Sequence, residues 1–474
     1  MEGAEGSIIQ VIEKYNGIIG GFVWGPWILS LIMGVGLYFT VKLNFFQFTK
    51  FGTWNKHTLG LLIKAGKPEA GAVTPFQAFC TAMAATAGVG NLVGVSGSII
   101  AGGPGAIFWM FVSGVLGMIT KYAEILLAIR YRERNAQGEW VGGPMFYISK
   151  GLGPNFKWLA VIFSICGAVC AFGIGNMTQI NAVVGTTQEM MIDLKWITAE
   201  EATAGYSHFK LVLGIVLAVL VGLVIVGGFK RIGETVELLV PFAGIFCIIG
   251  SIIAIYLKAD KIGEATSMIF QGAFNFKAAA GGVLGYTFMQ ALRFGVARGV
   301  FTNEAGMGSA PIAHAAADVD HPVKQGMWGC FEVFADTLIM CTLTAYVILT
   351  SGLFIGPETG MNGSQLVSGA FKASFGVWGS VFLAISVLVF AYCTTLSWSL
   401  YGLRCFQFLT GGAGSKGYMV LYSLTVVIAA VMQITLAWDI ADTLNGLMMI
   451  PNLVGVIALS GVVISLTKEF FGEK

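Results

Sequence analysis

The chain has 474 residues, of which 56% are hydrophobic and 11% charged, and its formal net charge is +2. A soluble domain is typically about 25% charged, so this is an integral membrane protein with no separate soluble domain, and the absence of a long basic run excludes nucleic acid as a partner. The eight cysteines form no CxxC pair and the histidines His57, His208, His314 and His321 fall in or near loops without ligand spacing, which leaves neither a disulfide framework nor a metal centre.

A helix needs roughly 20 apolar residues to cross a bilayer, and on that rule we predict about eleven spans. They lie near 18–43, 74–100, 105–132, 157–187, 210–228, 234–257, 280–316, 325–351, 375–409, 418–438 and 443–467. Ahead of span one stand Glu2, Glu5 and Glu13 rather than the basic flank of a cleaved leader, so that span is expected to stay in the membrane. Basic residues follow span one (Lys50, Lys56, Lys64, Lys67), span three (Arg130, Arg132, Arg134, Lys150, Lys157) and span five (Lys230, Arg231). After span four the loop is acidic, with Glu189, Asp193, Glu200 and Glu201. The bias places the N-terminus outside and the C-terminus in the cytoplasm of a cell membrane.

Span two contains Ala87-Gly88-Val89-Gly90-Asn91, and span seven contains MQALRFGVARGVFTNEAGMGSAP. Both interrupt the apolar pattern, and five spans separate them, so they cross in opposite directions as an inverted repeat requires. Span one is then an extra element over 1–73, followed by repeats over 74–260 and 261–474. A break at mid-membrane exposes backbone groups that lipid cannot satisfy, so it lines a cavity or binds something. Freed N–H groups suit a carboxylate and freed carbonyls a cation. The glycines also suit close packing of another helix.

In span four, Gly173, Gly175, Asn176 and Gln179 either join helices or contact a substrate. In span nine, Thr394 and Thr395 either bond their own backbone or, with main-chain carbonyls, offer oxygens to a hard cation. Charges in or near spans are Lys121, Glu124, Glu237, Arg293, Arg298, Glu332 and Asp336. Lys121 and Glu124 are spaced to pair along one helix, and Arg293, beside the second interruption, is a gate candidate. No charged ring marks a channel, and no nucleophile–base pair marks an enzyme.

The runs GGPGAIFWM from Gly102, GMITKYAEILLAIRYR from Gly117, GGPMFYISKGLG from Gly142 and FTNEAGMGSAPIAHAAA from Phe301 resemble the alanine or glycine:cation symporter (sodium:alanine symporter) family, in order along essentially the whole chain. Phe111, where the resemblance leads one to expect Trp, is one departure, and Thr395 stands where the sodium motif ends in Ser. The resemblance implies an all-α membrane fold of the leucine-transporter type, five plus five spans with one extra, within the amino acid-polyamine-organocation group. It implies sodium-coupled import of a small neutral amino acid, alanine or glycine, with Na+ as coupling ion and no organic cofactor. The alternative is a sodium-independent or proton-coupled carrier of the same fold, against which stands the lack of an interior lysine in span six. By the same resemblance, Thr86, Gly88, Gly90 and Asn91 fall at the substrate turn. Gly173, Asn176 and Gln179 are counted with them, and Phe294 is the aromatic that closes over substrate beside Met289 and Ala291. Ala391, Thr394 and Thr395, with the carbonyls of Ala84 and Ala87, then form the sodium site.

Overall fold

Span two starts on a sequence that dictates a helix end. Thr74 accepts the N–H of Gln77 at 3.1 Å, Gln77 returns its own oxygen to the Thr74 N–H at 3.1 Å, and Pro75 occupies the first helical position. This computed structural model describes residues 2–61, 68–203, 207–274, 288–356, 359–432 and 435–472; Lys64, Lys67 and the first residues of the predicted span seven lie outside them.

Among the described residues, eight helical stretches are long and apolar enough to cross a membrane, and the bent pair in span two makes nine. Ser415–Val431 is shorter at 17 residues, and span seven is divided, so these two segments stand below that threshold. Span three is Gly105–Arg130, span five Ser207–Ile225, span six Gly228–Tyr256 and span nine Trp378–Thr410. Span four joins Lys157–Phe172, Gly173–Met177 and Thr178–Asp193, and span eight joins Pro322–Val333, Phe334–Cys341 and Thr342–Thr350. The middle segment of each is π-helical, a local widening often found at functional sites.

Several expectations need correction. Span one is not a single helix over 18–43 but Glu2–Val23 followed by Pro26–Lys42, because Pro26 supplies no N–H to continue the first. The last span is Thr435–Ala458, and the chain then turns at Leu459 into a separate helix, Ser460–Phe471. Two further helices, Ile262–Ala273 and Gly363–Phe375, add to the expected set, since a search for long apolar runs passes over 12- and 13-residue segments. A short hairpin pairs Glu133–Arg134 with Trp140–Val141.

Spans three, seven and eight pack along one another, span four lies against spans nine and eleven, and span five against span ten. Glycine sets how closely some of these approach. A Cβ on Gly175 would lie 2.1 Å from Trp398 Cβ, so spans four and nine meet nearly backbone to side chain. All eight cysteines are buried thiols. One end of the bundle is tied across: Val73 exchanges backbone bonds with Ala316 and Asp318, and Arg132 donates to the carbonyls of Ala315 (3.1 Å) and Ala317 (2.5 Å).

Candidate functional site

Span two breaks where its glycines allow it. Helix Pro75–Thr86 stops at Ala87, whose ψ of 93° is extended, and the chain resumes as Gly90–Gly94 and Val95–Gly102, bent by 47° from the first half. The break is closed by its own amide: the Gly88 N–H donates to Asn91 Oδ1 at 3.0 Å, and Asn91 Nδ2 donates to Asp336 Oδ1 of span eight at 2.7 Å. Gly88 and Gly90 face neighbours that a side chain would crowd. An added Cβ would stand 3.0 Å from Thr394 Oγ1 and 3.5 Å from Gln179 Oε1 at Gly88, and 3.3 Å from Thr302 Cγ2 and 3.9 Å from the Phe301 ring at Gly90.

The second break is real but lies further along than the sequence suggested. Helix Phe288–Asn303 runs unbroken past Phe294, and the chain departs from helix over 304–309, with positive φ at Glu304 (54°), Gly306 (89°) and Gly308 (83°), before Ala310–His314. A left-handed glutamate is unfavourable on its own. Here the Ser309 hydroxyl donates to Glu304 Oε2 at 2.5 Å, and Asn452 of span eleven donates to the Gly306 carbonyl at 2.8 Å. Arg293 is therefore not beside the break; its guanidinium lies 5.5 Å from the Phe294 ring centre.

The hydroxyls of span nine reach different places. Thr394 Oγ1 donates across to the Ala84 carbonyl in the last turn before the first break at 2.7 Å, and also lies 2.9 Å from the Phe390 carbonyl. Thr395 donates to Ala391 of its own helix at 2.8 Å, while its carbonyl accepts from Tyr422 at 2.9 Å. Thus Thr394 and Ala84 bring two oxygens together in the last turn before the break, with Ala87 at its edge, while the Thr395 hydroxyl is paired with Ala391 inside span nine. From span four, Gln179 Nε2 donates to the Ile174 carbonyl at 3.1 Å, and its Oε1 is buried and without a hydrogen-bond partner among the described residues. Asn176 Nδ2 donates to the Tyr422 carbonyl at 2.8 Å while its Oδ1 is likewise buried and unpartnered among the described residues, and Gly173 opens the π segment before it. Thr86 bonds back to Met83 of its own helix at 3.2 Å.

Ala291 is buried, but Met289 is 58% exposed and stands away from the break. Phe294 lines a cavity of about 270 Å³ bounded also by Trp24, Ser98, Arg298, Phe301 and Asp442. Within its lining, the Phe301 ring centre lies 4.9 Å from the Arg298 guanidinium carbon and 6.3 Å from Trp24. Sequence reasoning missed Phe301 and Thr302 as the neighbours of Gly90, because the resemblance anchors the register of span seven on Phe294. It also mispaired the charges. Lys121 reaches Glu332 at 3.2 Å rather than Glu124, whose partner is Asn452, and His314 is not a loop residue but fully buried, 3.0 Å from Glu332. An i, i+3 spacing on one helix does not outweigh a neutralising partner on the next when both are removed from water.

Around the break in span two stand Thr302 and Phe301 of span seven, Thr394 of span nine and Gln179 of span four. Residues 9–474 match the profile described as the sodium:alanine symporter family. The chain belongs to that family. It is 41% identical over 461 residues to the protein named "Sodium/alanine symporter AgcS" of Methanococcus maripaludis, covering 95% of this chain and 96% of that one. It is 35% identical over 470 residues to the "Probable sodium/glutamine symporter GlnT" of Bacillus subtilis, covering 98% and 92%. The crystal structure of MhsT in complex with L-phenylalanine superposes with a TM-score of 0.55 at 12% identity, covering 85% of this chain and 99% of that one. That likeness is one of fold, and the fold is all-α and of the leucine-transporter type. As a member of the sodium:alanine symporter family, the protein is a multi-pass membrane transporter and not an enzyme.

Proposed function

We propose that the protein is a sodium-coupled symporter of the cell membrane that imports a small neutral amino acid, alanine or glycine, by alternating access. The observation that carries this reading is the convergence of Gly88, Gly90, Gln179 and Thr394 at the first break, opposite Phe301 and Thr302. The N-terminal end of the half-helix that begins at Gly90 favours a carboxylate. Beside it, the unpartnered Gln179 Oε1 is an acceptor for an ammonium group, so both ends of a zwitterion are served within one small space. Phe301 and Thr302 crowd that space and favour a short side chain. Sodium takes the Ala84 and Ala391 carbonyls and the Thr394 and Thr395 hydroxyls, bridging span two to span nine. The positive-inside bias puts the tied end, at Val73 and Arg132, in the cytoplasm and the cavity at Phe294 outside.

Counterflow of radiolabelled alanine into proteoliposomes, with sodium or with choline, tests the reading. Sodium-dependent accumulation inhibited by glycine is expected. Equal counterflow in both media would replace the symporter with a sodium-independent carrier, and accumulation driven by a proton gradient in choline would make the coupling ion a proton.

A further inference from the structure

One hydrogen-bond path, fully inside the protein, runs from the first break to the second. The Gly88 N–H donates to Asn91 Oδ1 at 3.0 Å, and Asn91 Nδ2 to Asp336 Oδ1 at 2.7 Å. The Thr337 hydroxyl donates to Asp336 Oδ2 at 2.9 Å, Asn303 Nδ2 to Thr337 Oγ1 at 3.1 Å, and the Ala305 N–H to Asn303 Oδ1 at 2.9 Å. Asn91, Asp336, Thr337 and Asn303 are each at most 1% exposed, so bulk water does not compete for these groups.

The directions along this path follow from one residue. Asp336 accepts at both oxygens, Oδ1 from Asn91 and Oδ2 from Thr337, so both neighbours turn donors toward it. Asn91 therefore presents its NH2 to span eight and its oxygen to Gly88. Thr337 has a single hydroxyl hydrogen, and once that is given to Asp336 its oxygen can only accept. Asn303 must then offer NH2 to Thr337, which turns its own oxygen toward Ala305. An amide can sit either way round in its slot; here one carboxylate selects the orientation of both. We infer that Asp336 is a positioning residue that holds the two breaks in one register, so that a rearrangement at either is passed to the other through Asn91, Thr337 and Asn303. The inference rests on the reading of the breaks as the moving parts of transport, but the path can be tested without any substrate.

Thr337→Val in the full-length protein keeps the shape and removes both bonds at that position. Hydrogen–deuterium exchange in detergent should then rise roughly tenfold over 303–309, which is near the substitution, and also over 86–92, which Thr337 does not touch. A rise confined to 303–309 would overturn the inference. The second arm is polarity. Asp336→Asn places an NH2 where one of the two donors already points, and alanine uptake should fall at least roughly tenfold. The double exchange Asn91→Asp with Asp336→Asn should restore slow hydrogen exchange over 86–92 and 303–309, because the carboxylate introduced at position 91 accepts from both Gly88 and the new amide at position 336, whose oxygen still accepts from Thr337. Uptake unaffected by Asp336→Asn, or exchange as fast in the double variant as in Asp336→Asn, would reduce Asp336 to a packing group. If the exchange result holds while the wild-type protein moves no alanine, the substrate reading has failed and the path stands.

Discussion

Thr394→Val separates a sodium ligand from a helix-packing hydroxyl. Valine has nearly the shape of threonine, so the substitution opens no cavity, and what it removes is one oxygen whose hydrogen reaches the Ala84 carbonyl at 2.7 Å. Without sodium the loss leaves a buried carbonyl short of a donor, a cost of about 1 to 3 kcal/mol in stability. With sodium the protein must replace waters stripped from the ion, and one oxygen toward a charge is worth about 1.5 to 3 kcal/mol. At about 1.4 kcal/mol per tenfold, the half-saturating sodium concentration for alanine uptake should move up by roughly ten- to hundredfold. Uptake in proteoliposomes would be measured over a sodium series at constant ionic strength with choline, beside a melting curve of the purified protein. Thr395→Val should shift the curve as well, yet lower the melting temperature less, because the Thr395 hydroxyl bonds only its own helix at Ala391. Wild-type sodium dependence in Thr394→Val, with a lowered melting temperature, would mean that the hydroxyl merely ties span nine to span two.

Four further variants have expected outcomes. Gly90→Val should abolish amino acid binding, because the first added carbon already lies 3.3 Å from Thr302, whereas Phe301→Ala should admit larger side chains in a competition assay; unchanged selectivity in Phe301→Ala would remove that ring from the site. Lys121→Met leaves Glu332 buried beside a neutral group and should lower stability in detergent by about 3 to 5 kcal/mol. The double variant with Glu332→Leu should recover most of the loss, and a double variant no better than the single would show that the uncompensated charge is not what destabilises Lys121→Met.

What the sequence made legible depended on the range of the interaction involved. The Thr74-Pro75-Phe76-Gln77 start and the Gly88–Gly90 break are local events, settled by capping and by missing side chains, and each is found where the residues point. The position of the second break is not local. Glu304 adopts a backbone conformation that its type disfavours, and it does so beside Ser309 and next to a loop whose Gly306 carbonyl is held by Asn452, far along the chain. Phe294 is one of several aromatic residues in span seven, and an alignment on it hides the neighbours of Gly90. The partners of Lys121 and His314 escape for the same reason, since Glu332 belongs to another span. Thr394 and Thr395 look alike as a pair in one helix, and only the approach of span two distinguishes the one that crosses from the one that does not.

The buried pair of Lys121 and Glu332 also bears on how the chain is made. Lys121 leaves the ribosome with span three, and Glu332 follows only when span eight is complete, a delay of about 10 to 40 s at the usual ~5–20 residues per second. During that interval the ammonium has no counter-charge from Glu332, and a lone lysine at the centre of a helix disfavours insertion by about 2.5 to 3.5 kcal/mol. Glu332 can relieve that cost only once span eight arrives, so the final seating of span three is coupled to a helix made much later in the chain.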